Sequence, residues 1–231
     1  MARPAIATPS ATSSQFTPWQ FMYIPTSFLE EDKGTLLSFM RAHSFATLVS
    51  VVDGALFASH IPLAVEERGD AIVLTGHVSK ANAHVKAFSG ENALPTLAIF
   101  TGPHAYVTPT AYEARESVPT WNYIAVHATG VPTAVHSVTA PEAMQEMLEK
   151  MIEQHDASYG EQWQELSAKY RDGMMRGIVG FEMPIVRLEG KYKLSQNKHA
   201  HDQAAVAAML EQSDDEQARV VAKEMRMRQV G

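Results

Sequence analysis

Two β-rich runs, Ala46–Val52 and Ala55–Ile61, have nothing between them but Asp53-Gly54. Asp-Gly accepts the positive φ that both central positions of a type I′ turn require, and that turn matches the twist of two antiparallel strands. The pair specifies a hairpin, and a hairpin needs further strands before it is stable in water. Several follow. Ala71–Thr75 comes after the polar turn around Arg68-Gly69-Asp70, Ala93–Thr101 is broken by Gly102-Pro103, and Ala105–Thr108 can be extended. Pro119–Thr129 is aromatic and β-branched and closes at Gly130, Val131–His136 returns antiparallel, and Gly177–Leu188 is another strand. Lys191–Lys198 reads as a polar loop or strand end.

Helical spacing appears between and after these runs. Ser27–His43 reads as a helix with Glu30, Glu31 and Asp32 in its first turn and Leu36, Leu37, Phe39 and Met40 on its buried face. Ser79–Phe88 is a short helix entered from a strand. Thr139-Ala-Pro-Glu142 has the form of a capping box ahead of Met144, Leu148, Met151, Ile152 and His155, and Trp163 and Leu166 begin a shorter piece. Gln203–Arg228 reads as helical and mostly exposed. About six antiparallel strands with such helices imply an α+β protein: a small antiparallel barrel with flanking and C-terminal helices. The barrel domain spans residues 21–200 and a helical tail residues 201–231. Residues 1–20, rich in Ala, Pro, Ser and Thr with Arg3 as the one charge, read as a disordered tail.

Composition narrows the function classes. The chain has no cysteine, so disulfides, thiolate chemistry and Cys-ligated metals are excluded, which suits a reducing, cytoplasmic setting. The tail lacks a signal peptide's apolar core, and its low acidity leaves an organellar transit segment as the alternative. No apolar stretch approaches the roughly 20 residues of a membrane-spanning helix, which argues against a membrane protein. A net charge of −7 argues against direct DNA binding, since a DNA reader displays a basic face.

Alternate side chains of a strand share a face, so His60 lies with Ala58 and Leu56, and Ser59 with Phe57 and Ile61. The stretch Leu74–Asn82 leaves a strand through Gly76 and enters a helix near Ser79. That geometry can aim backbone N–H groups, the Ser79 hydroxyl and the Lys80 ammonium at one anion; a solvated turn with Ser79 as a plain N-cap is the other reading. Three segments, Phe100–Pro109, Val118–Tyr123 with Val126-His127, and Leu188–Lys198, mix aromatic or glycine residues with hydrogen-bonding side chains. Such mixtures hold planar ligands between apolar walls. Trp121 and Tyr123 taken singly also suit a core, and His127, on their face, suits a hydrogen-bonded structural histidine. The ten histidines show no metal-binding spacing, and His199-Ala-His201 reads as surface.

In chain order, Met22-Tyr-Ile-Pro25 with Phe28, Ser59-His-Ile-Pro-Leu63, Gly76-His77 with Ala81-Asn82, and Gly102-Pro-His-Ala-Tyr106 are followed by Val118-Pro-Thr-Trp-Asn-Tyr123, Ala125-Val-His127, Met175-Arg-Gly-Ile-Val-Gly180 and Leu194-Ser-Gln-Asn197. This series resembles the PaiB family, whose label is FMN-binding negative transcriptional regulator, over nearly all of Met22 to Lys198. The resemblance implies an FMN-binding split barrel and a homodimer with the flavin at the subunit interface, with flavin redox activity in reach. It implies that Ser79 and Lys80 face the phosphate, that His60 and Pro62 border the ring, and that Asn82, Trp121, Asn122, Lys193, Ser195, Gln196 and Asn197 are contacts, some from the second subunit. One turn departs from the family's Ala-Arg-Ala-Asn-Pro pattern: here it is Ser79-Lys-Ala-Asn-Ala83, and lysine lacks arginine's bidentate fork. Piperazate synthases are similar to PaiB too. Through them the resemblance implies an alternative, a haem b protein that closes N-hydroxyornithine through an N–N bond, with His60 as the candidate axial ligand.

Overall fold

The computed structural model describes residues 22–88 and 94–229. The expected tail at residues 1–20, and Ala93 at the start of one expected strand, lie outside the described residues. The elements run β1 (Leu29–Glu30), α1 (Lys33–Ala42), β2 (Phe45–Val52), β3 (Ala55–Pro62), β4 (Ala64–Arg68), β5 (Ala71–Ser79), β6 (Thr96–Val107), β7 (Thr120–Gly130) and β8 (Thr133–Val135). There follow α2 (Pro141–Asp156), α3 (Gly160–Glu165), α4 (Ala168–Met175), β9 (Ile178–Lys193), α5 (Ala200–Glu211) and α6 (Glu216–Gln229). The Asp53-Gly54 hairpin forms, with φ of 51° and 80° at its two central residues.

Seven strands form the path β3-β2-β6-β7-β9-β5-β4, and β1 and β8 add to β9, all antiparallel. Two bends turn this path into a barrel. The chain passes from β3 to β4 through Leu63 alone, so the two ends of the path are one continuous bent run. β9 bends too: Ile178–Pro184 pairs with β5, and Ile185–Lys193 pairs with β7. Strands that switch sheets in this way make the corners of a barrel. At the β9 corner a side chain on Gly130 would collide with the Pro184 carbonyl, so glycine is required there by close approach.

Leu48, Leu63, Leu74, Phe100, Val126 and Phe181 fill the interior and are fully buried. Helix α1 lies against the strands where Gly102 and Gly190 leave room for Phe39 and Leu36. α2 covers the outer side of β5 and β9, with Met144 and Met147 packed on Gly180. Val206 and Leu210 of α5, and Val221, Ala222 and Met225 of α6, join the same core as Ala105 and Val107 of β6.

The structure corrects several boundaries. The first helix starts at Lys33, because Leu29 and Glu30 pair with β9; Asp32 caps it by accepting from Thr35 N at 2.7 Å. β4 has no counterpart in the sequence expectation, and the described residues form nine strands where about six are expected. β5 continues to Ser79 because β9 pairs with it that far, so the helical turn begins only at Ala83, with Asn82 as its cap. β6 runs through Gly102-Pro103, since a bulge between Thr101 and His104 absorbs the proline that lacks a donor. β8 pairs with β9, not β7. No capping box forms at Thr139, where Ala140 is the cap residue of α2. The C-terminal helices keep an exposed face, and each also buries an apolar stripe in the barrel core, which the expectation of an exposed tail leaves out.

Candidate functional site

Each strand of the hairpin sheet shows two faces. Inward side chains build the core. The outward set includes Phe45, Thr47, Val49 and Val51 on β2, registered against Pro62, His60, Ala58 and Leu56 on β3. It continues across β6 and β7, where Ile99 faces His127 and Tyr106 faces Trp121. A solvated sheet face is expected to be polar. This one is apolar and aromatic, with Phe45 70%, Leu56 80% and Trp121 52% exposed.

One group of candidates gathers at the β3 edge of this face. His60 is exposed, and its Nδ1 lies 3.0 Å from Thr47 Oγ1. Pro62 is half-buried two residues on. Ser79 ends β5, Lys80 follows it in the turn, and both are exposed; Lys80 N donates to Gly177 O at 2.9 Å, and Ser79 Oγ accepts from Ala81 N at 3.3 Å. Among the described residues no carboxylate pairs with the Lys80 ammonium. Asn82 has its side chain engaged within the protein, with Nδ2 donating to Ser59 Oγ at 3.0 Å and Oδ1 accepting from His84 N at 2.9 Å. Ser59 Oγ in turn lies 2.8 Å from Nδ1 of His84, a fully buried imidazole that burial holds below its ordinary value of 6.5. This network ties the Ser79-Lys80 turn to the strand that carries His60.

The second group lies at the β7–β9 end. Trp121 stands on the open face, and Lys193 donates from below it to Thr120 Oγ1 and to the Trp121 carbonyl. Burial, then the charges of Lys191 and Lys198, hold the Lys193 ammonium below the usual lysine range. Asn122 points inward and is fully buried, with Nδ2 2.9 Å from Ser195 Oγ and 3.6 Å from Met225 Sδ. Ser195 holds a positive φ of 68°. Gln196 folds back on its own turn, accepting from Leu194 N at 2.7 Å and donating to Tyr192 O. Asn197 is exposed.

A single chain keeps the two groups apart. From β3 to β9 there are four inter-strand steps, about 19 Å at ~4.8 Å each. Along β9, Ser79 pairs with Ile178 and Tyr123 with Lys193, the two ends of a 16-residue strand. The 520 Å³ cavity beside Met22, Ile24, Leu36 and Leu188 includes none of these candidates. Lys191, within the Leu188–Lys198 segment, and His84 are not among the individual contacts expected from sequence. The alternation Arg187, Glu189, Lys191, Lys193 could have shown the first, because period-two charge marks one strand face. Nothing local marks His84 as buried.

The chain is 34% identical to a Bacillus subtilis protein named protease synthase and sporulation protein PAI 2, over 88% of this chain and 96% of that one. Two solved structures share its fold at low identity. The flavocytochrome Anf3 of Azotobacter vinelandii superposes with a TM-score of 0.55 at 14% identity, covering 77% of this chain and 75% of its own. An FAD and haem binding protein of Mycobacterium smegmatis gives 0.51 at 16%, covering 77% and 78%. The expected α+β antiparallel split barrel is thus the observed fold. Residues 22–187 match the family described as "Putative FMN-binding domain", and with PAI 2 as a near full-length relative, the chain belongs to that FMN-binding, PaiB-type family.

Proposed function

We propose that this protein binds FMN between two copies of itself, with the apolar face of β3, β2, β6 and β7 as the shared surface. One observation carries the reading: that face is apolar, uncovered among the described residues, and has a candidate group at each edge. A two-fold contact pairs one patch with itself, so the β3 edge of one copy can meet the β7–β9 end of the other. The Lys80 ammonium and Ser79 hydroxyl would hold the phosphate, His60 and Pro62 would border the ring, and Trp121 and Lys193 would approach from the partner subunit. Asn82, Asn122, Ser195 and Gln196 would position these groups through the bonds described. Bound FMN supplies one- or two-electron redox chemistry, and the protein contributes orientation and electrostatics. A cytoplasmic location suits the absence of cysteine. The family's repressor label fits an indirect role better than DNA contact, given the net charge of −7.

A second reading, haem b and N–N cyclisation, rests on His60. With Nδ1 against Thr47, the ring is oriented and its Nε2 is left on the open face, the arrangement of a metal-ligating histidine with a supporting partner. The absorption spectrum of the purified protein and of two variants separates the readings. With FMN, flavin bands appear, Lys80→Ala weakens binding strongly and His60→Ala mildly. With haem, a Soret band appears and His60→Ala abolishes or shifts it. A folded protein whose cofactor content ignores both substitutions contradicts this placement.

A further inference from the structure

Lys191 is only 8% exposed, yet its ammonium has no carboxylate partner among the described residues. It donates to the Tyr23 carbonyl at 2.8 Å and sits 5.3 and 5.4 Å from the rings of Tyr23 and Tyr123. Two strand positions on, Lys193 also has no carboxylate partner among the described residues, and Lys198 carries its charge 4.3 Å over Tyr112. Residues 1–21, which precede this corner, contain no Asp or Glu at all. In a chain of net charge −7, three neighbouring lysines with no carboxylate partner among the described residues run against the overall balance. Burying a cation without an opposite charge costs free energy, and like charges nearby add to it. A site for an exogenous anion explains the arrangement.

We propose that Lys191 and Lys193 form an oxyanion subsite for a small organic acid, whose carboxylate meets the two ammonium groups and whose flat apolar body lies on Tyr123 and Trp121. Each lysine has donors beyond those already used, since an ammonium carries three. The aromatic rings of β7 supply a surface on which a planar group stacks. The proposal names a substrate class for the cofactor site described above, and its test does not depend on that site holding flavin.

The test is calorimetric titration of benzoate, and separately of inorganic phosphate, into flavin-free and FMN-loaded protein, for wild type, Lys191→Met, Lys191→Arg and Lys80→Ala. Benzoate is expected to bind the wild type, at least tenfold more weakly to Lys191→Met, and with little change to Lys191→Arg or, in flavin-free protein, to Lys80→Ala. Lys191→Met should melt no lower than wild type, because a buried cation without a carboxylate partner among the described residues is removed; a purely structural lysine would lower it. Absence of benzoate binding to wild type in either state overturns the proposal. So does an Lys191→Met variant that loses FMN and leaves benzoate binding intact, which would assign the pair to the flavin phosphate. If wild type takes up no FMN but binds benzoate through Lys191, the cofactor reading fails and the anion subsite stands.

Discussion

Replacing Phe45 with aspartate perturbs the proposed interface beside the edge that carries His60. Phe45 registers against Pro62, two residues from His60, and is 70% exposed in a single chain. Burying a whole phenylalanine side chain is worth about 1.5–3 kcal/mol, so covering the exposed 70% contributes about 1–2 kcal/mol. A two-fold interface counts each residue twice, giving about 2–4 kcal/mol for the dimer. That corresponds to a dimer dissociation constant raised about 30- to 1,000-fold before the cost of desolvating two carboxylates, which adds to it. Light scattering across a dilution series reads the constant directly, and flavin retention at each dilution should fall in step with it. Because Phe45 points away from the core, the thermal stability of the monomer should change little. A Phe45→Asp variant with an unchanged dissociation constant and unchanged flavin would refute the idea that this face is the shared surface.

Further outcomes follow from the same geometry. On the proposed placement Lys80→Ala would remove one charge-assisted contact worth about 1.5–3 kcal/mol, so FMN should bind roughly ten- to more than a hundredfold more weakly by fluorescence titration, and Lys80→Arg should retain binding. Burial lowers the values of His77, His84 and His127 below 6.5, so the unfolded chain takes up protons that the folded one does not. Stability is therefore full above about pH 6.5 and lost as pH falls through the folded values, and melting scans from pH 7.5 to 5 should show a steady decline that His84→Phe makes shallower. Gly130→Ala forces a side chain into the Pro184 carbonyl, and should cost about 1–3 kcal/mol or more in urea denaturation.

What could be read from sequence divides along a physical line. The Asp53-Gly54 hairpin was legible because its turn chemistry is local, and the face assignments of His60 and Trp121 followed from strand alternation alone. The ordered motifs from Met22 to Asn197 carried the family, and through it the split barrel. Features set by long-range pairing were not legible. β5 reaches Ser79 only because β9 runs beside it, and β6 crosses Gly102-Pro103 only because a bulge is tolerated there. The burial of Val221 and Met225 depends on a groove built by β6, which the charged surface of α6 conceals in sequence. The Ser79-Lys80 turn is marked in sequence as a candidate, but its lock through Asn82, Ser59 and His84 joins positions 23 to 25 residues apart and is not.

The central claim is that FMN is held between two copies of the chain, and sedimentation equilibrium read in the flavin's visible band tests it most directly. Under the account, flavin absorbance sediments with twice the 25.4 kDa mass of one chain, at two flavins per dimer. Flavin absorbance that stays with a 25.4 kDa species at saturating FMN would contradict it.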